Sequence, residues 1–237
     1  MMKKKIPRKE LVNMTTTLVN DPNTIVCEHP LCHQNLTIIR DKNSSSELFR
    51  NAVRRLTYLL LYTATQDLET EEVTTVTPMA ECKTQVLKKD VKIILAPILR
   101  AGLIFSDIAS EVLPTASIRH IGMYRDEKSL KPVWYYDKTP IMFDDPQKTI
   151  VFILDPMIAT GNSALDCIKL FASKRIPVKN IRFVSLIAAP EGLSKIRKNF
   201  PDLKITTAHV DETLSKTGYI IPGLGDAGDR IFNTVEN

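Results

Sequence analysis

Chemistry in this chain is most legible in the stretch VFILDPMIATGNSALDCIKLF, residues 151–171. An apolar run ends in Asp155, a turn of small residues follows, and a helix is expected from Ser163. A charge is costly at the end of a buried strand unless something meets it. The turn ATGNS would bring several backbone N–H groups to one point at the positive end of a helix dipole, which suits a phosphate. Thr160 and Ser163 add hydroxyl donors, and Gly161 lets the backbone come close to a ligand. The chain has no G-x-x-x-x-G-K-[ST] and no G-x-G-x-x-G, so nothing marks a P-loop or a dinucleotide fingerprint. Taken alone, these residues also fit a plain strand–turn–helix junction with Asp155 as a capping acid.

The elements that must position them follow from the pattern of apolar residues. Short β-branched runs lie at 91–97, 117–125, 149–156, 181–190 and 204–210, with helical stretches near 102–112, 163–175 and 191–199 between them. This alternation predicts an α/β fold with a parallel sheet covered on both faces. Ligands in such sheets bind at the carboxyl ends of the strands, beside a switch in strand order. Arg100, Arg125 and Asp155 each stand at or just after the end of a predicted strand, so one shared site is expected. Upstream, SSSELFRNAVRRLTYLLLYTA predicts a long packing helix, with Ser44 to Ser46 as caps and Leu48, Val53, Leu56, Leu59 and Leu60 facing the core.

The whole chain of 237 residues is long enough for a sizeable core, and its 43% hydrophobic and 25% charged residues are ordinary for a globular protein. The net charge of +5 is partly local, because MMKKKIPRKE is strongly basic. Residues 1–27 are read as a basic arm, flexible in part, and 28–237 as one domain. No apolar run is long enough to span a bilayer and no secretory signal is expected. The four cysteines do not form a disulfide framework for a chain of this size, so a reducing compartment, the cytoplasm, is expected. Cys27, His29, Cys32 and His33 crowd into CEHPLCH, but a zinc site usually needs two ligand pairs farther apart. They are read as surface or semi-buried residues, and no protein-held metal is expected.

Residue for residue, DPMIATGNS resembles the phosphoribosyl-diphosphate (PRPP) motif of type I phosphoribosyltransferases. Most of those carry two adjacent acids here. Asp155 followed by Pro156 is similar to the uracil phosphoribosyltransferases, and so are PILRAGL (97–103), GMYRDE (122–127), YTATQDLETEEV (62–73), AAPEG (188–192) and GYIIPGLGDAGDRIF (218–232). The likeness runs in order from about residue 28 to the C-terminus. It implies a type I phosphoribosyltransferase-like sheet flanked by helices, with an N-terminal arm and helix and a C-terminal hood for the base.

The resemblance implies that N1 of uracil displaces diphosphate from ribose C1, giving UMP in pyrimidine salvage. Arg100 and Arg125 would grip the diphosphate, a task that suits guanidinium because its donors pair with phosphate oxygens two at a time. Asp155 would accept from the ribose hydroxyls. The PRPP-binding set is Arg100, Arg125, Asp155, Pro156, Met157, Ile158, Ala159, Thr160, Gly161, Asn162, Ser163 and Asp226, with residues 159–163 around the 5′-phosphate. Asp155, Arg125 and Asp226 form the catalytic set. Ile220 and Gly225 would read uracil through backbone atoms, beside Asp226, Ala227 and Tyr219. Residues 125–140 would be a flap over the diphosphate, and 218–230 the uracil loop. Mg²⁺ would be carried mainly by the diphosphate. Relatives form dimers or larger assemblies and some respond to GTP, so a homodimer or homotetramer and a GTP effector are expected, with no nucleic-acid or membrane partner.

Asn162 stands where relatives carry glycine, and it is expected to adopt left-handed backbone there. The competing function is a regulatory protein of the same fold that senses PRPP or a nucleotide. Intact Arg100, Arg125, Asp155 and the uracil-type loop favour the enzyme.

Overall fold

The computed structural model describes residues 18, 21–126 and 132–234. Residues 1–17, which hold the basic end of the N-terminal arm, and 127–131 within the expected flap lie outside that description.

Seven strands form the spine of one sheet. They are β1 (Thr24–Val26), β4 (Lys92–Leu99), β6 (Ile121–Arg125), β7 (Pro132–Asp137), β8 (Thr149–Leu154), β10 (Ile181–Ala188) and β11 (Lys204–Val210), in the order β1-β11-β10-β8-β4-β6-β7. Every neighbouring pair along this path is parallel except β6 and β7, which form an antiparallel hairpin. Two short strands extend it: β5 (Ser117–Ile118) pairs with β4, and β9 (Met157–Ile158) with β10. The strand expected over 117–125 is thus interrupted at Arg119 and His120. Residues 24–26, assigned from sequence to the arm, are part of the sheet.

The buried strands read as nearly continuous apolar runs because both faces are covered. Along β8, Phe152 and Leu154 enter one cluster, while Val151 and Ile153 enter the other. The first cluster is closed by α1 (Pro30–Arg40), α2 (Ser46–Thr65) and α3 (Leu103–Val112), through residues such as Ile39, Phe49, Leu56 and Phe105. Against the other face pack α4 (Asn162–Ser173) and α5 (Pro190–Asn199), through Ile168, Phe171 and Ile196. In α2 the buried stripe falls on Phe49, Val53, Leu56, Leu60 and Leu61; Leu48, expected in the core, is exposed. Ser45 caps that helix by accepting from Leu48 N–H at 3.2 Å.

Two pieces stand apart. β2 (Thr70–Val76) and β3 (Glu81–Leu87) pair only with each other and are mostly exposed. At the C-terminus β12 (Thr213–Leu214) pairs with β13 (Ile220–Ile221), and α6 (Ala227–Phe232) follows.

The chain leaves β4 toward β6 on one side but returns in β8 on the other, then continues to β10 and β11. The switch point is therefore the crevice between β4 and β8. Arg100 follows the first of those strands and Asp155 the second.

Candidate active site

Asp155 begins where β8 ends. Its N–H still donates to Val184 O at 3.2 Å, so the sheet fixes its backbone. Its side chain is partly buried, and burial pushes the carboxyl up to about 7, against the opposing effect of a hydrogen bond from the Met157 backbone. A carboxylate held at this cost suits a site that supplies donors from a ligand.

The next residues divide into two parts. Pro156, Met157 and Ile158 belong to the sheet: Pro156 O accepts from Leu186 N at 2.9 Å and Ile158 O from Ala189 N at 2.8 Å. Residues 159–161 then form the turn into α4, whose first two residues are Asn162 and Ser163. Gly161 carries the left-handed backbone there, with φ 74°. A Cβ at Gly161 would stand 2.9 Å from Gly192 O, and one at Gly192 would stand 2.4 Å from Ala159 O. The two glycines thus let the turn lie directly on the start of α5. This is the physical role of AAPEG, whose Glu191 also accepts from Thr213 Oγ1 at 3.0 Å and ties α5 to the C-terminal loop.

Asn162 does not adopt the left-handed backbone expected of it. It is the first helical residue of α4, and the positive φ falls one residue earlier, on glycine. Its side-chain oxygen instead accepts from Lys195 Nζ on α5, which brings a cation beside the helix N-terminus. Lys195 was not singled out from sequence. Nothing local marks it, because the pairing depends on α4 and α5 lying side by side.

Arg100 sits in the turn after β4, and its neighbour Gly102 packs against the end of β8. A Cβ on Gly102 would lie 2.3 Å from Leu154 O, immediately before Asp155. The Leu99–Arg100 and Ile221–Pro222 peptides are cis. Arg100 Nη2 donates to Asp229 Oδ1 at 3.1 Å, and its guanidinium lies 6.0 Å from the Phe232 ring centroid. Both partners are on α6, so Arg100 joins the sheet edge to the C-terminal loop. Arg125 is the last residue of β6, one strand beyond β4 on the same edge; its side chain lies outside the description.

The C-terminal loop is held by buried polar contacts. Arg40 grips Asp211 with two donors, Nη2 to Oδ1 at 2.5 Å and Nη1 to Oδ2 at 3.1 Å. Gly223 is clasped between them, its N–H donating to Asp211 Oδ2 at 3.0 Å and its C=O accepting from Arg40 Nη1 at 2.9 Å. Arg230 donates to Leu224 O at 2.7 Å and to Asp41 O at 2.6 Å, with its guanidinium 4.3 Å over the Phe49 ring. Between these anchors Gly225 has φ 80°, a conformation that side chains rarely take. Asp226 Oδ1 accepts from Asp229 N at 3.0 Å and caps α6. Ile220 and Ala227 are buried, whereas Asp226 and Tyr219 are exposed, so Tyr219 is not a core residue.

The β6–β7 hairpin frames the third side. Trp134, Tyr135 and Tyr136 are exposed on it, and Tyr135 pairs with Tyr124, ring centroids 6.4 Å apart. A cavity of about 690 Å³ opens elsewhere, at the amino ends of β4 and β8.

A parallel sheet with an acid and an arginine at its switch point, a glycine-led helix start and a C-terminal hood defines a type I phosphoribosyltransferase. The adenine phosphoribosyltransferase of Trypanosoma brucei has this fold, with a TM-score of 0.51 at 12% identity over 84% of this chain and 89% of that one. The chain belongs to the uracil phosphoribosyltransferase family, whose model matches residues 26–234. It is 48% identical to a uracil phosphoribosyltransferase of Dictyoglomus thermophilum over 89% of this chain and 99% of that protein. The solved AQ2163 protein of Aquifex aeolicus superposes with a TM-score of 0.81 at 36% identity, over 90% of this chain and all of that one.

Proposed function

We propose that this pentosyltransferase makes UMP and diphosphate from uracil and PRPP, in the crevice between β4 and β8. The observation that carries the reading is the placement of Arg100 and Asp155 after the two strands that flank the switch point, with Arg100 tied to the C-terminal loop. N1 of uracil attacks ribose C1, the C1–O bond to diphosphate breaks, and the N1 proton leaves. Positive charge builds on the ribose during the transfer, so position and electrostatics dominate the rate.

Asp155 accepts from the ribose hydroxyls, whose hydrogen bonds offset its desolvation and favour the charged form. N–H groups at the start of α4 hold the 5′-phosphate with Thr160 and Ser163, and Lys195 adds charge from the side. Arg100 and Arg125 take the diphosphate. The exposed Arg100–Asp229 pair is weak enough to exchange for it. Ile220 and Gly225 present backbone atoms to uracil, where the exocyclic amine of cytosine would meet a donor rather than an acceptor. The described strands β6 and β7, beside the site, would help to exclude water.

Mg²⁺ fits as a companion of the diphosphate. Among the described residues no three His, Cys, Asp or Glu side chains gather to hold a metal, and a Mg²⁺ that keeps its waters needs few protein ligands. When bound it neutralises charge on the leaving group.

Two or four copies would assemble, since a lone two-stranded hairpin is marginal in water and β2–β3 exposes Val76, Met79 and Leu87. A GTP effector belongs to the same reading. The cavity at the amino ends of the strands has Lys88, Lys89, Lys92 and Arg119 in its lining, beside Asp144 and Asp145. Among the described residues no helix is long and apolar enough to cross a membrane, and we assign the enzyme to the cytoplasm. The test is UMP formation from uracil, PRPP and Mg²⁺, with cytosine, adenine and hypoxanthine in parallel. Turnover with uracil alone supports the assignment; none with uracil in folded protein overturns it.

A further inference from the structure

The motif CEHPLCH is not absorbed by the transfer site, and the structure gives it a different organisation from the one expected. Its cysteines are not surface residues. Cys32 is fully buried and Cys27 is 8% exposed, both in the core under α1, while His29 and His33 lie on the exposed side of the same turn. The imidazoles are engaged there: His29 Nδ1 accepts from Leu31 N at 3.1 Å to cap α1, and His33 Nε2 lies 3.4 Å from Glu28. Cysteine and histidine therefore face opposite ways, which rules this arrangement out as a four-ligand metal site.

The two sulfurs face each other. Cys32 Sγ is 2.8 Å from Cys27 Sγ, less than an ångström longer than a disulfide bond of about 2.05 Å. Both backbones are pinned by separate elements. Cys27 N–H donates to Thr207 O at 2.9 Å, continuing the β1–β11 ladder, and Cys32 N–H donates to His29 O at 2.8 Å in the first turn of α1. The approach is thus built by the strand and the helix rather than by a free loop.

We propose that Cys27 and Cys32 are a modification site, closing to an intramolecular disulfide when a low-molecular-weight disulfide is supplied. Cys27, which alone of the pair has some exposure, attacks the small disulfide as its thiolate. It forms a mixed disulfide and releases one small thiolate. Cys32 then attacks the Cys27 sulfur, forming the protein disulfide and releasing the second. Two protein thiols are oxidised, one small disulfide is reduced to two thiols, and the two protein protons pass to the leaving thiolates. Burial, with the neighbouring Cys27, pushes the Cys32 thiol well up, so closure is slow and follows the poise of the surroundings rather than brief pulses. In a reducing compartment the pair stays open.

The closed ring would clamp the start of α1 to β1. Arg40 at the far end of α1 holds Asp211 and Gly223, so the clamp stiffens the helix that supports the C-terminal loop. The other cysteines differ in kind: Cys82 is exposed on the β2–β3 hairpin, and Cys167 is buried on the opposite face of the sheet.

The test uses the full chain with Cys82→Ser, incubated with glutathione disulfide, denatured in N-ethylmaleimide and weighed intact. The proposal expects loss of two hydrogens, one alkylated thiol where reduced protein has three, and a peptide linking Cys27 to Cys32. It also expects a higher thermal midpoint that dithiothreitol reverses. Adding Cys32→Ala to that chain should leave a glutathione adduct on Cys27 instead. Full alkylation after oxidation, a stable adduct without ring closure while both cysteines are present, or linkage through Cys167 would each overturn it.

Discussion

Two arginine–aspartate pairs hold the C-terminal loop, and their surroundings give them opposite work. Arg40 and Asp211 meet through two hydrogen bonds, with the Asp211 side chain wholly buried and Arg40 only 23% exposed. Arg100 and Asp229 meet through one bond at 3.1 Å, with side chains 60% and 37% exposed. Removing one partner of a buried pair strands a charge away from water, whereas an exposed pair contributes little to stability. The first pair fixes the loop; the second can release its arginine to an incoming phosphate at small cost. Identical side-chain chemistry thus serves as a fixed scaffold in one pair and, in the function proposed above, as an exchangeable grip in the other.

Breaking the buried pair should have the largest effect. Arg40→Met is expected to cost about 3 kcal/mol in chemical unfolding, because buried Asp211 loses both guanidinium hydrogen bonds and keeps only the Gly223 N–H and, at 3.7 Å, His209. Arg100→Met should cost no more than about 0.5 kcal/mol in the same measurement. Equal losses would remove the distinction between the pairs.

Asp155 sharpens the contrast, as a partly buried acid that no described lysine or arginine meets in a salt bridge. Asp155→Asn should lower kcat by about 10²-fold while the protein stays folded. Its effect on stability should have the other sign. The native carboxyl titrates near 7 rather than 3.8, so the folded state binds the proton more tightly between those values. Wild-type stability should therefore fall as pH rises through that window and level off above it. The Asn variant should melt above wild type at pH 8, and its advantage should shrink toward pH 4. A midpoint difference independent of pH would refute the burial argument.

The smallest effect is expected at Asn162. Since Gly161 already carries the positive φ, glycine at 162 relieves no strain and adds unfolded-state freedom at a helical position, costing about 0.5 kcal/mol. Loss of the Lys195 contact should weaken UMP binding by about threefold, within the range of one net hydrogen bond. If Asn162→Gly stabilised the protein, the strain would have to reside at 162 after all.

These differences follow what the sequence could encode locally. The parallel core was legible because β8 and β10 are largely apolar on both faces and the helices between the strands carry a clear period. Asp155, Gly161 and the glycines of 218–228 were legible because strand ends and turns restrict residue types. The partners that hold them were not. Arg40 meets Asp211 across 171 residues, and Lys195 meets Asn162 across 33, so neither pairing leaves a local pattern. Cys27 and Cys32 were visible as a cluster, but which way each faces depends on β1 joining the sheet beside β11.

The division of labour between the two arginine pairs is tested most directly by comparing two ligands on one variant. Equilibrium dissociation constants of Arg100→Met for PRPP with Mg²⁺ and for UMP isolate the diphosphate, which only PRPP carries. The account predicts a loss of about tenfold for PRPP, the worth of one charge-assisted hydrogen bond, with UMP unchanged. Equal weakening of both ligands, or of neither, would contradict it.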